Sequence, residues 1–277
     1  MRLGYLGPAG SFSWEAAQKY AEKLNETVQE VAFKDIDAVF AAVAAGEIEA
    51  GMVPLENSLE GSVNITLDLL AHEYDLQVTG EVVLPVHHCL LVRPGTKIEE
   101  IKTIYSHPQA LAQCRRTLKA LFPEVCRRET GSTAEAVRLV ASGEEGAAAL
   151  GSRKAAELYG LTVLREGMQD EEKNWTRFMV IGREGRPVRP EKSRTLLVLS
   201  FPDRPGGLYE ILKIFALRRI NLTKIESRPA RKGLGDYIFF LEMEGAPAIS
   251  TVAEALQELK ERTTWLKILG TYEKWEE

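Results

Sequence analysis

Near the start of the chain stand the residues Leu3-Gly4-Tyr5-Leu6-Gly7-Pro8-Ala9-Gly10-Ser11-Phe12-Ser13. The apolar segment from Leu3 to Leu6 predicts a β-strand, the glycines and the proline predict a tight turn, and a helix is expected to begin near Phe12. Backbone N–H groups at such a helix start favour an anion. The glycine spacing is GxxGxxG rather than GxGxxG, so a dinucleotide-binding turn is not expected here. Strand, turn and helix in this order indicate an α/β fold.

The same arrangement, in which hydroxyl or amide side chains follow a strand and precede a helix, recurs further along the chain. The later stretches are Val53–Ser62, Ser106–Gln109, Gly131–Thr133 and Gly151–Ser152. In open α/β sheets such turns gather at the carboxyl ends of the strands, where ligands bind. Each side chain alone is equally well explained as a helix cap. Together, around one cleft, the turns would bind a small anion that carries more than one carboxylate.

The order of the predicted elements divides the 277 residues into two parts. Strands and helices alternate over residues 1–182, which predicts an α/β domain with a largely parallel sheet. We expect two lobes with a cleft, and a crossing between them near Pro85. A polar stretch rich in proline and glycine, 183–193, predicts a linker. Residues 194–277 follow the order βαββαβ around a predicted turn at Lys232–Gly235, which is the ferredoxin-like pattern.

Composition and charge exclude several classes of protein. The chain has 35 Lys and Arg against 40 Asp and Glu, a net charge of −5, and no basic stripe of the kind that binds nucleic acid. No charged leader precedes an apolar segment, and no apolar run reaches the ~18 residues that cross a membrane. The three cysteines and four histidines show no metal-binding spacing. We therefore expect a cytoplasmic protein with reduced thiols and no metal.

A second polar cluster, Lys173-Asn174-Trp175-Thr176-Arg177-Phe178, stands just before the last predicted strand of the first part. It supplies cations, an amide and a hydroxyl beside an aromatic ring. On an extended strand Thr176 and Arg177 point to opposite faces, so they can share one task only if the strand has not yet begun there.

Taken in order, these segments resemble the prephenate dehydratase family. The resemblance rests on Gly7–Ser13, Pro54–Ser58, Ser106–Gln109 with Gln113, and Asn174–Phe178. The C-terminal part is similar to the regulatory ACT domain of that family, through Gly206-Gly207-Leu208 and Glu226-Ser227-Arg228-Pro229. Because nothing precedes the dehydratase part, we expect the monofunctional enzyme without a fused chorismate mutase. The expected fold is a two-lobed domain like the periplasmic binding proteins, followed by an ACT domain.

The resemblance implies a reaction without a cofactor, in which prephenate loses carbon dioxide and hydroxide to give phenylpyruvate on the way to L-phenylalanine. It implies that Thr176 donates a hydrogen bond to the departing hydroxyl. The implied substrate-binding residues are Glu56, Asn57, Ser58, Ser106, Gln113, Thr133, Asn174, Arg177 and Phe178. Glu56 is unusual beside a dianion, and we interpret it as a partner of Asn57, Arg177 or Lys173, or as a protonated donor. Trp175 departs from the family motif and is expected to thicken the wall of the cleft.

The C-terminal part is expected to bind L-phenylalanine as an allosteric effector, between the ACT domains of two subunits. The implied effector-binding residues are Gly207, Leu208, Asn221, Leu222, Glu226, Ser227 and Arg228. An effector at a subunit interface implies a homodimer, or a tetramer formed from two dimers. Two other readings remain open: an arogenate dehydratase, which runs the same reaction on the aminated substrate, and a sensor that binds a small anion without turnover.

Overall fold

The computed structural model describes residues 1–24, 26–143, 145–230 and 237–276. Its strands form three sheets, one in each lobe of the N-terminal part and one in the C-terminal part. The predicted turn at Lys232–Gly235 lies outside the described residues. None of the helices in the described ranges is long and apolar enough to cross a membrane.

The first lobe is built from alternating strands and helices around one sheet. Its elements are β1 (Arg2–Leu6), α1 (Phe12–Leu24), β2 (Gln29–Phe33), α2 (Ile36–Ala44), β3 (Ala50–Asn57), β4 (Gly61–Ser62), α3 (Asn64–Asp68) and β5 (Gln77–Pro85). A π-helical turn, Leu69–Glu73, continues α3. Asp35 caps α2, because its Oδ1 accepts the N–H of Ala38 at 2.7 Å.

The second lobe begins after Pro85 and contains a separate sheet. Its elements are β6 (Cys89–Val92), β7 (Thr103–Ser106), α4 (Pro108–Gln113), α5 (Arg115–Leu121), β8 (Cys126–Glu129), α6 (Thr133–Ala141), β9 (Ala147–Gly151), α7 (Arg153–Tyr159) and β10 (Thr162–Arg165). The chain then returns to the first lobe with β11 (Trp175–Gly182). The sequence therefore crosses between the lobes twice.

The expectation of a largely parallel sheet is corrected, because both sheets of the N-terminal part are mixed. The first has the order β2-β1-β3-β11-β5 with β4 beside β3, and the second has the order β10-β6-β9-β7-β8. In the first sheet, β11 runs antiparallel to both β3 and β5. The chain leaves the first lobe at the end of β5 and returns at the same end, where Trp175 pairs with Pro85. The returning strand must therefore run in the opposite direction.

The C-terminal part has the expected ferredoxin-like fold, and its sheet has the order β13-β14-β12-β15. The elements are β12 (Ser193–Ser200), α8 (Gly207–Leu217), β13 (Leu222–Pro229), β14 (Tyr237–Glu244), α9 (Ser250–Arg262) and β15 (Trp265–Glu273). All neighbouring strands are antiparallel. The predicted linker, 183–193, follows β11 and reaches the first residue of β12, and the domain boundaries remain predictions from the sequence.

Both faces of this C-terminal sheet are covered within one chain. One face packs on α8 and α9, with Leu197, Phe215 and Leu256 in a common cluster. The other packs on the first lobe, where Phe240 and Tyr272 are buried in the same cluster as residues of α3 and β5. Burial of these apolar side chains stabilises a defined position of the C-terminal part on the first lobe.

The backbones approach each other closely in this contact at Gly270 of β15, whose φ is +150°. A Cβ atom at this position would lie 2.2 Å from the carbonyl oxygen of Val78 on β5 and 2.6 Å from its nitrogen. Backbone atoms cannot rotate away as a flexible side chain can. Glycine is therefore required for β15 to lie against β5.

We predict that Gly270→Ala lowers the free energy of unfolding because the new methyl group collides with Val78. The matched control is Gly167→Ala, since Gly167 also has a positive φ, +63°, but nothing within 4 Å of its Cβ position. The control should lose about 1–2 kcal/mol from backbone strain alone. Gly270→Ala should lose at least about 2 kcal/mol more, from overpacking. Urea denaturation of both variants measures the difference, and equal losses would contradict the role given to Gly270.

Candidate active site

The two lobes enclose a cleft of about 420 Å³, and polar side chains from both lobes line it. These polar residues are Ser11, Ser13, Lys34, Asn57, His88, His107, Gln109, Gln113, Ser132, Thr133 and Thr176. Most of them follow the carboxyl ends of β1, β2, β3, β7 and β8. Those are the positions at which ligands bind in open α/β sheets.

Helices from opposite lobes begin at the cleft and make it favourable for an anion. On the first lobe, α1 begins after Ser11, whose Oγ accepts the N–H of Trp14 at 3.2 Å. On the second lobe, α6 begins at Thr133 after the capping residue Ser132. Each helix start carries a partial positive charge, and Lys34, whose ammonium lies 3.6 Å from the carboxylate of Asp35, stands at the rim. The cleft therefore suits a small molecule with negative charge at two ends.

One side-chain amide, that of Asn57, fixes the direction of the hydrogen bonds in the cleft. Its Oδ1 accepts the backbone N–H groups of Leu59 at 3.0 Å and Glu60 at 3.1 Å. A backbone N–H can only donate, so Nδ2 of Asn57 must be the donor on the other side. Nδ2 lies 2.9 Å from Oγ1 of Thr176 and 2.8 Å from Oδ1 of Asn174.

This direction leaves the proton of the Thr176 hydroxyl free. Because Oγ1 accepts from Asn57, its own O–H can donate into the cleft, which Thr176 lines. The chain of bonds continues through Asn174, whose Nδ2 donates to Oε1 of Gln113 at 2.9 Å. The site can thus offer a hydroxyl proton to a bound ligand from a fixed position.

His88 ends this chain of hydrogen bonds. Its Nε2 lies 3.1 Å from Oε1 of Gln113, and its ring meets Phe12 edge to face at 5.7 Å. Since that oxygen can only accept, Nε2 carries the proton and Nδ1 is the unprotonated nitrogen. Burial lowers the pKa of His88 below its ordinary value of 6.5, against the smaller opposing effect of the Gln113 hydrogen bond. His88 is therefore a neutral imidazole.

Comparisons with known proteins identify the family of this chain. The sequence profile of the family described as Prephenate dehydratase matches residues 3–186, and the profile of the ACT domain matches residues 195–261. A prephenate dehydratase of Methanocaldococcus jannaschii is 40% identical over 271 residues, which cover 97% of this chain and 96% of the relative. The chain belongs to the prephenate dehydratase family.

Two further comparisons bear on the substrate and on the C-terminal part. An arogenate dehydratase/prephenate dehydratase of Arabidopsis thaliana is 40% identical over 285 residues, covering 98% of this chain and 72% of the relative. The crystal structure of a prephenate dehydratase from Arthrobacter aurescens in complex with L-Phe is 34% identical. It superposes with a TM-score of 0.89, covering 99% of this chain and 90% of that chain.

Within this family fold, several of the residues named from the sequence meet in the cleft. Asn57, Gln113, Thr133, Thr176 and Phe178 line it. Asn174, which is 1% exposed, lies behind them as the link between Asn57 and Gln113.

Three of the residues named from the sequence do not line the cleft, and the hydroxyls of two of them bond to backbone groups instead. The Oγ of Ser58 accepts the N–H of Trp175 at 2.9 Å. Ser106 is fully buried, and its Oγ donates to the carbonyl of Leu150 at 2.8 Å. The Trp175 side chain is 39% exposed rather than part of the cleft wall.

Glu56 and Arg177 are placed differently from the expectation that they bind substrate. The strands β3 and β11 alternate their side chains between two faces, and these two residues lie on the face away from the cleft. Oε2 of Glu56 is 3.2 Å from Nζ of Lys224. Arg177 contacts Glu81 at 2.6 Å and Glu242 at 2.5 Å. Both side chains therefore belong to the contact with the C-terminal part.

The residues expected to bind the effector lie on two sides of the C-terminal part. Gly207 and Leu208 begin α8, whose buried side chains pack on one face of the sheet. On β13, Glu226 and Arg228 instead face the first lobe, where Glu226 accepts from Ser62 at 2.5 Å. Arg228 lies 3.0 Å from Asp68.

The remaining effector-site predictions fall along the same edge strand. Asn221, just before β13, and Ser227, within it, are exposed, while Leu222 is half-buried. Within one chain these residues do not form a single enclosed group with Gly207 and Leu208.

Sequence reasoning did not assign His88 or Lys34 to the site. Lys34 directly follows β2, so its position at the end of a parallel strand was the available signal. His88 had no such signal, because it lies in the crossing between lobes and no pattern shows which way that segment faces. The described residues contain no group of three or more His, Cys, Asp or Glu side chains that could hold a metal ion.

We predict that His88 stays neutral, with the proton on Nε2, at pH values where a free imidazole is half protonated. Nitrogen-15 NMR of the side chain measures both the tautomer and the pKa, which should lie below 6.5. Because the folded pKa is lowered, His88 contributes stability that is complete above pH 6.5 and is lost as the pH falls through the folded pKa. The loss should approach about 1.4 kcal/mol per pH unit.

His87→Asn is the matched control for His88→Asn, since His87 is an exposed neighbour. The free energy of unfolding of His88→Asn should depend less on pH below 6.5 than that of the wild type, and His87→Asn should retain the wild-type slope. Equal slopes in all three proteins would show that His88 is protonated in the folded state.

Proposed function

We propose that this protein is a prephenate dehydratase of L-phenylalanine biosynthesis, which converts prephenate to phenylpyruvate, carbon dioxide and water. The observation that carries the proposal is the Thr176 hydroxyl, held by Asn57 so that its proton is available in the cleft between the lobes. Membership of the family supports the reaction, and the polar, anion-favouring cleft supports the substrate class.

The reaction requires the protein to orient the substrate and to donate one hydrogen bond. As the bond from the ring to its carboxylate breaks, carbon dioxide leaves and the electron pair enters the ring. The ring becomes aromatic as the bond to the hydroxyl breaks, and hydroxide leaves. Donation by Thr176 stabilises the negative charge that develops on this oxygen, and the hydroxide becomes water by taking one proton from the solvent. No oxidant, reductant or metal enters the balance.

Binding must hold both carboxylates of prephenate while allowing the product to leave. The starts of α1 and α6 approach the ligand from opposite lobes, and Lys34 stands at the rim. The neutral His88 and the amides of Asn57 and Gln113 add polarity without a full charge. This combination orients a dianion through dipoles that are already in place.

The C-terminal ACT domain supports regulation by L-phenylalanine. The related structure from Arthrobacter aurescens is a complex with L-Phe. We infer that this chain binds the same amino acid between the ACT domains of two copies, with Gly207, Leu208, Asn221, Leu222, Glu226, Ser227 and Arg228 near the ligand. A homodimer is the smallest assembly that provides such a site. Inhibition requires the effector to favour a state in which the cleft is less competent.

Arogenate is the second candidate substrate, because a relative of equal identity is named for both activities. Arogenate carries an ammonium group in place of the keto group, so it presents the cleft with one more positive charge.

The deciding experiment measures product formation by the purified protein from each substrate, phenylpyruvate from prephenate and phenylalanine from arogenate. Chelator and L-phenylalanine are added separately, and light scattering gives the mass of the assembly in the same samples. We expect turnover of prephenate that survives the chelator and falls with L-phenylalanine. Turnover of arogenate alone would reassign the substrate. Binding of L-phenylalanine with no turnover of either substrate would show a sensor.

We predict that Thr176→Ala lowers kcat for prephenate by at least about 100-fold, the scale of a lost catalytic donor. Thr176→Ser keeps a hydroxyl and should retain most of the activity. Thr79→Val is the matched control: its hydroxyl donates to the carbonyl of Val180 at 3.3 Å in the same sheet, but away from the cleft. Circular dichroism confirms folding of each variant. A kcat for Thr176→Ala within about threefold of wild type would exclude Thr176 from the reaction.

A further inference from the structure

Two neighbouring cross-strand pairs connect the cleft with the C-terminal part. In the pairing of β3 with β11, Asn57 is opposite Thr176, and the next pair is Glu56 opposite Arg177. Successive residues on a strand point to opposite faces of the sheet. The first pair therefore faces the ligand, and the second pair faces the C-terminal sheet.

The C-terminal sheet presents a matching pair with the charges reversed. Lys224 on β13 is opposite Glu242 on β14. Lys224 lies 3.2 Å from Glu56, and Glu242 lies 2.5 Å from Arg177. We call these four residues the charge square. Each side of the square is either a cross-strand pair within one sheet or an ion pair between the two sheets.

Burial makes the charge square sensitive to displacement. The side chains of Glu242, Lys224 and Arg177 are 0%, 8% and 14% exposed, so water cannot replace a lost partner. Tyr272 adds a hydrogen bond of 2.6 Å to Glu242. Burial alone would raise the pKa of Glu242, but Arg177 and the hydrogen bonds to this carboxylate lower it below its ordinary value.

The charge square also adjoins an irregularity in the sheet. The register of β11 against β3 shifts between Arg177 and Phe178, directly beyond the pair formed by Glu56 and Arg177. The regular pairing that fixes Thr176 against Asn57 therefore ends at this pair.

We propose that the charge square couples the state of the C-terminal domain to the hydrogen bond between Asn57 and Thr176. Glu56 and Arg177 are thus positioning residues that act through their strand neighbours. This inference rests on the proposed function and describes how a change in the C-terminal domain reaches the cleft. A shift of β13 against the first lobe displaces Glu56 through its contact with Lys224. A shift of β14 displaces Arg177 through its contact with Glu242. Either shift changes the direction of the Thr176 hydroxyl.

Glu226 supplies the connection to the effector site. It lies 2.9 Å from Lys224 and accepts a hydrogen bond from Ser62. Lys224 therefore divides its charge between Glu226 and Glu56. An ammonium group bound at Glu226 would partly neutralise this carboxylate and weaken its attraction for Lys224. The contact between Lys224 and Glu56 would then change.

The test is a double-mutant cycle with Glu56→Gln, Lys224→Gln and the combination of both. Glu56→Gln is the mild change, because this side chain is 40% exposed and keeps its shape. We expect each single variant to weaken inhibition by L-phenylalanine about 3- to 10-fold and to lower kcat more than it changes KM. Direct binding of L-phenylalanine to Glu56→Gln, measured by calorimetry, should stay within about twofold of wild type. The double variant should show the same weakened inhibition as either single variant, because both changes break one contact. Lys224→Arg keeps the positive charge and should retain inhibition at the wild-type level.

Lys267→Gln is the matched control, since it removes another lysine that joins the same two parts of the chain. Nζ of Lys267 donates to the carbonyls of Leu70 and Tyr74 at 2.9 Å each, away from Asn57 and Thr176. This variant should leave kcat and inhibition unchanged. The proposal is overturned if Glu56→Gln leaves inhibition at the wild-type level, if the two single effects add, or if Lys267→Gln has the same effect.

Amide hydrogen exchange separates this inference from the proposed function. A wild type that turns over neither prephenate nor arogenate would overturn the proposed function alone. In that case, faster exchange in peptides containing Asn57 and Thr176 in Lys224→Gln, but not in Lys267→Gln, supports the coupling. Unchanged exchange in those peptides would show that the charge square does not reach the cleft.

Discussion

The hydrogen bond from Asn57 to Thr176 joins the first lobe's own chain segment to the strand that returns from the second lobe. Its direction is not a free choice, because the backbone N–H groups of Leu59 and Glu60 occupy the other end of the Asn57 amide. Because a backbone N–H can only donate, the donor and acceptor roles of every following hydrogen bond are also fixed. These bonds involve Thr176, Asn174, Gln113 and His88. The availability of one hydroxyl proton thus depends on two peptide groups outside the cleft.

The returning strand β11 makes this arrangement possible. It lies between β3 and β5, so it contacts the first lobe on both edges, and its two faces carry residues for two different tasks. A strand at the edge of the sheet would lack β5 on one side, and Arg177 would lose its contact with Glu81 at 2.6 Å. The double crossing between lobes therefore provides both the cleft and a rigid support for Thr176.

The sequence was sufficient for the order of elements and for most strand ends that meet at the cleft, because apolar periodicity and turn residues report local structure. It failed where tertiary context decides. The strand β8 contains the exposed residues Cys126–Glu129 and has no apolar pattern, so its existence depends on pairing with β7. Proline is disfavoured inside a strand, yet β3 continues past Pro54 to Asn57. The proline lies beside the register shift of β11, where a missing N–H is tolerated.

The roles of Glu56 and Arg177 show a different limit. Their motifs contain substrate-site neighbours, and a resemblance between sequences compares residue types without recording which face each side chain takes. The alternation of a strand separates Thr176 from Arg177 and Asn57 from Glu56, so one motif can hold a ligand on one side and a neighbouring domain on the other. The carboxylate of Glu56 is then no anomaly beside a dianion, because the sheet lies between them and Lys224 compensates its charge. The residues that face the ligand and the residues that contact the C-terminal domain are thus one position apart, on opposite faces of the same two strands.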